Sequence, residues 1–241
     1  PGTVDISVGR QLFVDSFLIS QTDLKTVYHS AVTSSQPVIT MDDDYLMLKT
    51  GYVMYDEEAD RIVMWYGGMK NVYRAESRDG VVWSEPEVVF TNDSKGAWIT
   101  VRVNPSPAPD GNDRYIMLVR NADGKEKWTE HYETTRLSGR IYKSADGRKW
   151  TLSSRTGAMG DASTLSYNRF RNKWLIFARD NCSFSTGRRV VRYFECSDIT
   201  SQAAYGLWQS VDWQRTDRLD IQDPKLKEAP QIYSVCSDSY E

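Results

Sequence analysis

Residues Ser77–Trp83 read "SRDGVVW" and residues Ser144–Trp150 read "SADGRKW". Asp-Gly is a hairpin signal, because Gly takes a positive φ without strain and the Asp carboxylate accepts a backbone N–H two residues on. The Trp three residues past the Gly then needs an apolar surface to pack on. One copy predicts a hairpin. Two copies predict a repeat, with the Trp covering the gap between neighbouring repeat units.

A second landmark recurs upstream of the hairpins. Acidic or amide turn residues lead into a basic residue and an apolar, aromatic run in "YDEEADRIVMWY" (55–66), "PDGNDRYIMLV" (109–119) and "YNRFRNKWLIFA" (167–178). The first residues of the runs, Ile62, Tyr115 and Trp174, lie 53 and 59 residues apart. Short β-like stretches such as "GYVMYD" and "TLSYN" precede the runs, and "VYRAESRDG", "RIYKSADG" and, less regularly, "VRYFECSD" follow them. In the third copy "ITSQAAYGL" intervenes before Trp208. The unit is strand, turn, aromatic strand, connection, strand, Asp-Gly hairpin and final strand, which is the four-stranded antiparallel blade of a β-propeller. The predicted class is all-β with little helix, since no window keeps a 3.6-residue apolar period. Trp65 and Trp174, inside runs that a middle strand would bury on both faces, are predicted core. The alternative is a β-sandwich that reuses Asp-Gly hairpins.

The intervals predict one propeller-like domain over residues 1–241, holding three blades, an N-terminal stretch from Val4 to Asp44 and the opening of a fourth blade at "APQIYSVCSDSYE". Propellers have four to eight blades, so the ring is expected to be incomplete, with three to four blades present and the chain truncated at its C-terminus. The first residue is Pro1 in place of Met, so chain upstream is expected too. A smaller architecture closed by the N-terminal strand "QLFVDSFLI" or by a partner chain is the other solution.

Composition narrows the partners. With 40% hydrophobic residues, 8 Trp and 14 Tyr, the chain can bury a sizeable core, and a net charge of −3 without basic runs excludes a nucleic-acid field. No apolar stretch is long enough to span a membrane as a helix. Cys182, Cys196 and Cys236 match no metal spacing and are read as thiols with at most one disulfide; His29 and His131 have no ligand pattern around them. No metal or cofactor is expected, and there is no nucleophile elbow or P-loop.

In a propeller, polar residues at the starts of the innermost strands converge on one mouth of the central channel. Those positions carry Asp42, Asp43 and Asp44 in blade one and Asp161 in blade three, with Asp223 and Glu228 at the opening of blade four. Blade two supplies Arg102 and Asn104 there. Trp98 with Arg102, and Arg188 with Arg189 in "STGRRVVRYF", are candidate sugar-binding groups, because aromatic rings offer flat apolar faces and guanidinium groups forked donors. The competing readings are a solvated acidic turn for Asp42–Asp44, a β-turn residue for Asp161, and a surface charge beside Lys225 and Lys227 for Glu228.

Two of these segments resemble a known family. "EAPQIY" (228–233) is similar to the segment around the general-acid glutamate in the five-bladed propellers of glycoside hydrolase family 43, and "GDASTLSYNRFRNKWLIF" (160–177) resembles the strand-and-turn unit that carries an aspartate in those enzymes. The wider group includes the invertase-like family 32 and the levansucrase-like family 68. The resemblance implies a carbohydrate substrate, an extracellular or periplasmic location, Glu228 as acid, Asp161 as orienting carboxylate and Asp43 or Asp44 as base or nucleophile. "MDDDYLML" does not reproduce the family's first aspartate motif. Glycoside cleavage asks for such a set: a carboxylic acid kept protonated by burial and like charge, and a carboxylate across the sugar.

A non-catalytic carbohydrate-binding or interaction propeller is the main rival. A sialidase-like enzyme is the third reading, since Ser-x-Asp-Gly-x-x-Trp resembles the Asp-box of those propellers, although there a residue separates Asp from Gly. Three arginines converging beside a tyrosine would favour it.

Overall fold

The three aromatic runs form strands with apolar side chains on both faces, and this sets the architecture. In the computed structural model, which describes residues 5–7, 13, 15–40, 49–67, 70–91, 98–120, 138–180, 189–206, 209–227 and 229–238, each run is the second strand of a four-stranded antiparallel meander. Blade A is β1 (Lys49–Asp56), β2 (Arg61–Gly67), β3 (Asn71–Ser77) and β4 (Glu87–Thr91). Blade B is β5 (Trp98–Val103), β6 (Tyr115–Arg120), β7 (Ser138–Ser144) and β8 (Thr151–Ala158). Blade C is β9 (Thr164–Asn168), β10 (Lys173–Asp180), β11 (Val190–Cys196) and β12 (Val211–Gln214), with the one-turn helix α1 (Ile199–Gln202) in the inserted stretch before β12. The innermost strands neighbour one another, β1 against β5 and β5 against β9. The result is three successive propeller blades.

Alternation along the second strands joins the blades. From β2, Val63 and Trp65 enter one core with Tyr115, Met117 and Val119 of β6. The alternate β6 residues, Ile116 and Leu118, enter a second core with Trp174, Ile176 and Ala178 of β10. Leu175 and Phe177 point the other way, where Ile232 and Val235 cover them. Period-two side-chain direction thus turns one continuous apolar run into two interfaces. Each fully buried side chain of this size contributes about 1.5–3 kcal/mol, and Trp65 and Trp174, at 0% and 3% exposure, are both core.

Both Asp-Gly hairpins have the expected geometry. Asp79 Oδ1 accepts the N–H groups of Val81 and Val82 at 2.8 Å, and Asp146 Oδ1 those of Arg148 and Lys149 at 2.8 Å. Ser77 and Ser144 Oγ accept the Gly N–H of their own turns at 2.9 Å. The tryptophans lie on the face toward the preceding element: Trp150 packs on the core between blades A and B, and Trp83 packs with Met64 and Ile39 on the far side of blade A. A further tie comes from Asp56, whose carboxylate accepts the Tyr115 hydroxyl of blade B at 3.0 Å and pairs with Arg114 at 3.3 Å.

Two expectations are corrected. The fourth blade expected to open at 229–241 has no strand among its described residues, 229–238, which are held by bonds such as Thr164 Oγ1 to the Val235 carbonyl at 2.6 Å and the Ile232 N–H to the Arg189 carbonyl at 3.4 Å. The described part of "QLFVDSFLI" is not a strand either: Asp15 Oδ1 accepts the Phe17 N–H at 2.8 Å and Ser16 O that of Ile19 at 3.0 Å, local bonds that compete with a ladder. That stretch belongs to a separate compact unit, residues 1–37 with 239–241, whose described residues form neither helix nor strand. The blades lie in the other unit, residues 38–238.

Candidate functional site

The N-terminal ends of β5 and β9 and the C-terminal ends of β6 and β10 meet at one end of the blades, because in each sheet the first two strands are antiparallel. Trp98 opposes Arg120 across β5 and β6, and Thr164 opposes Phe177, two residues before Arg179, across β9 and β10. A cavity of about 580 Å³ opens there, lined among others by Tyr52, Trp98, Thr100, Arg102, Ser163 and Asp238. The first three inner strands and residues 234–238 all contribute, as at a propeller's central channel. Trp98 and Arg102, read from sequence as sugar-binding candidates, both line it.

Arg102 is 6% exposed. One face of its guanidinium lies 4.6 Å from the Tyr52 ring. Nη1 donates to the Val101 carbonyl at 3.0 Å, Nη2 faces the weak acceptor Cys236 Sγ at 3.9 Å, and buried Nε has no partner. Burial pushes the Tyr52 hydroxyl up from its ordinary value; the Asp238 charge acts in the same direction, and Arg102 and Arg169 oppose it.

Beside the cavity the Gly160–Ser163 turn presents Asp161. Gly160 N–H donates to the Arg179 carbonyl at 2.6 Å, and Ser163 Oγ both accepts the Arg179 N–H and donates to the Gly160 carbonyl, each at 2.9 Å. Ala162 sits at φ 56°, a left-handed conformation that costs a non-glycine residue about 1–2 kcal/mol. Strain of this kind gathers where a side chain must be aimed. Here it aims the Asp161 carboxylate at Arg179, with which it forms an ion pair, and at the Tyr233 hydroxyl, which donates to it at 3.4 Å. Arg179 is 4% exposed. Burial pushes its guanidinium below the ordinary value, and the charges of Arg189 and Arg120 push the same way. Tyr233 lies between arginines: Arg179 is 4.6 Å and Arg189 5.3 Å from its ring. The turn thus holds the Asp161 carboxylate against a buried guanidinium.

Asp43, Asp44, Glu228 and Arg188 lie outside the described residues, as do Asp42, Cys182, His131 and Trp208. Asn104 holds the connection after β5, with Nδ2 donating to Asp113 at 3.1 Å, and Asp223 closes a local turn by accepting the Lys225 N–H at 2.8 Å. Among the described residues no group of three His, Cys, Asp or Glu side chains comes together as metal ligands, and no helix is long and apolar enough to cross a membrane. Sequence reasoning missed Tyr52, Arg179, Tyr233 and Asp238. A signal existed for Arg179: "YIMLVR" and "KWLIFARD" both end their apolar runs in Arg, and a charge at that end of a two-faced strand faces the mouth.

No protein-family model and no curated protein matches the chain. Among solved structures it is similar to the α-L-arabinofuranosidase PaAbf62A of Podospora anserina in complex with cellotriose, at 12% identity and a TM-score of 0.40 over 68% of this chain and 51% of that one. It is also similar to the exo-β-1,3-galactanase of Phanerochaete chrysosporium with β-1,3-galactotriose, at 11% identity and a TM-score of 0.38 over 62% and 33%. A third is the β-fructofuranosidase of Schwanniomyces occidentalis with fructosyl-erythritol, at 14% identity and a TM-score of 0.29 over 73% and 49%. The chain spans about half the length of these enzymes, or less.

Proposed function

We propose that this propeller is a glycoside hydrolase whose sugar lies in the cavity at the mouth of the inner strands. The observation that carries the reading is the Asp161–Arg179–Tyr233 arrangement. A strained turn holds a carboxylate paired with Arg179 beside a cavity that also offers Trp98 as a flat apolar face. In this reading Asp161 orients the sugar and stabilises developing positive charge, Glu228 donates the proton to the leaving oxygen, and Asp43 or Asp44 is the base or nucleophile.

The test is release of sugar from aryl glycosides of arabinose, xylose and fructose-type sugars, and from unactivated disaccharides. Turnover by the parental protein is expected, with Glu228→Gln lowering it about 10²–10⁴-fold on poor leaving groups, the range that general acids supply. No turnover of any of these glycosides, or near-parental activity of Glu228→Gln on unactivated substrates, overturns the reading.

A second reading has its own observation. Arg179 and Arg189 flank Tyr233, and the Arg120 charge acts on Arg179, which is the convergence a sialidase-like site would use, with Tyr233 activated by Asp161. Cleavage of aryl sialosides that is lost in Tyr233→Phe would favour it over the first.

A further inference from the structure

We infer that the cavity takes a carbohydrate bearing a carboxylate, a uronate or an ulosonate, and that Arg102 is the residue that binds this group; the inference rests on reading the cavity as the sugar site.

Arg102 is 6% exposed, and among the described residues no ion pair is formed by it. A buried carboxylate without a counter-charge can neutralise itself by gaining a proton and a lysine by losing one; a guanidinium does not shed its proton. Its charge is therefore permanent, and the Tyr52 ring on one side is only a partial offset. Other donors of the lining are already engaged: Thr164 Oγ1 on the Val235 carbonyl, Ser234 Oγ on the Ala162 carbonyl, and Ser163 Oγ on the Gly160 carbonyl. Arg102 alone among these keeps strong donor capacity, with Nε unpartnered and Nη2 on a thiol.

A ligand oxyanion would supply the missing charge through the forked donors that carboxylates match. Trp98 and Tyr52 in the same lining suit a sugar ring better than a bare anion. Asp238 is the carboxylate among the described lining residues; it is exposed at the rim, and its charge disfavours an anionic ligand there. An acidic sugar is therefore held with its carboxylate at Arg102 and away from Asp238.

The experiment is calorimetric titration of the protein with galacturonate, glucuronate, N-acetylneuraminate and the neutral sugars galactose and glucose. At least one acidic sugar is expected to bind ten-fold or more tighter than the neutral pair, and which one distinguishes the two sources. Arg102→Gln is expected to lower the ratio of acidic-sugar to neutral-sugar affinity ten-fold or more. Asp238→Asn is expected to tighten acidic-sugar binding and leave the neutral sugars unmoved, a response that a purely structural role would not give. Thermal unfolding of each variant confirms that it folds. Equal affinity for acidic and neutral sugars, an undiminished preference in folded Arg102→Gln, or no binding of any sugar overturns the inference. Hydrolysis of aryl glycosides of both the acidic and the neutral sugars tests the glycosidase reading separately: an Arg102-dependent preference without turnover of either class supports the inference and overturns that reading.

Discussion

The Trp65 indole N–H of blade A donates to the Gly147 carbonyl in the Asp-Gly hairpin of blade B, at 2.8 Å and across 82 residues of sequence. One copy of the repeated hairpin is thus the lid on the other blade's central tryptophan. Arg148, the next residue, reaches back to Glu76 and Glu87 at 3.0 Å each, although pairs this exposed contribute little.

Gly147→Ala is the sharpest test of that contact. Gly147 has φ +68°, and an added Cβ would stand 2.5 Å from Trp65 Cζ2, whereas Gly80, at φ +74°, would bring its Cβ no nearer than 3.5 Å to Ile62 Cδ1. Both substitutions carry left-handed strain of about 1–2 kcal/mol. Gly147→Ala is expected to lose about 2 kcal/mol more than Gly80→Ala in urea unfolding, because a fully buried ring must shift. Equal losses would show that the hairpin does not clamp blade A.

Asp161 and Arg179 should behave as a coupled pair. Asp161→Asn leaves a guanidinium that is 4% exposed without its counter-charge, at a cost of about 3–5 kcal/mol. Arg179→Gln leaves a carboxylate that water reaches, at about 1–2 kcal/mol, since the Asp161 side chain is 27% exposed. The double variant should lose less than the two together, with a coupling of about 1 kcal/mol or more by denaturant unfolding. Simple additivity would break the pair.

Asp56 gives a pH signature. Burial pushes its carboxyl up, but the Ala59 N–H, the Tyr115 hydroxyl, the Arg114 charge and the Glu58 N–H together hold it below its ordinary value of 3.8. A group depressed on folding stabilises fully above its unfolded pKa, and that stabilisation is lost as the pH falls through the folded one. Asp56→Asn should therefore cost about 1–3 kcal/mol at pH 7. The gap to the parental protein should close as the pH falls below about 4, near the unfolded aspartate value. Unfolding curves at pH 7 and from pH 4 to 2 check this; a constant gap would mean that the four contacts do not favour the charged form.

Cys196 and Cys236 should differ in reactivity. Cys196 is buried in the core between blades B and C, and burial pushes its thiol to about 12, so almost none is thiolate at pH 8. Cys236 is exposed on the cavity wall. Iodoacetamide at pH 8 followed by peptide mapping should label Cys236 and spare Cys196 in the folded protein, and a sugar seated in the cavity should slow Cys236. Labelling of Cys196 at a similar rate would contradict its burial.

The blade rhythm was legible because its cause is local. Asp79 and Asp146 bond N–H groups two and three residues away, so Ser-x-Asp-Gly-x-x-Trp carries its geometry within seven residues, and apolar runs around Trp65, Tyr115 and Trp174 announce strands buried on both faces. The fourth blade expected to open at 229–241 shows no strand among its described residues. A strand exists only where a neighbouring backbone pairs with it along several residues, and here Ile232 makes a single backbone bond, to the Arg189 carbonyl, and otherwise packs through its side chain.

The candidate site was legible only in part. Asp161, Trp98 and Arg102 could be singled out because they stand at the starts of inner strands, a position along the repeat. Their partners could not: Arg179 is 18 residues from Asp161, Tyr233 is 72 residues from it, and Cys236 is 134 residues from Arg102. By itself the sequence determined the all-β class, the four-stranded unit and the two-faced strands, since hairpin chemistry and period-two burial act between near neighbours. The tertiary structure alone decided that Arg179 pairs with Asp161 and that Arg102 is buried with no counter-charge among the described residues, because charge balance depends on which groups converge in space, and that convergence is set by how one blade packs on the next.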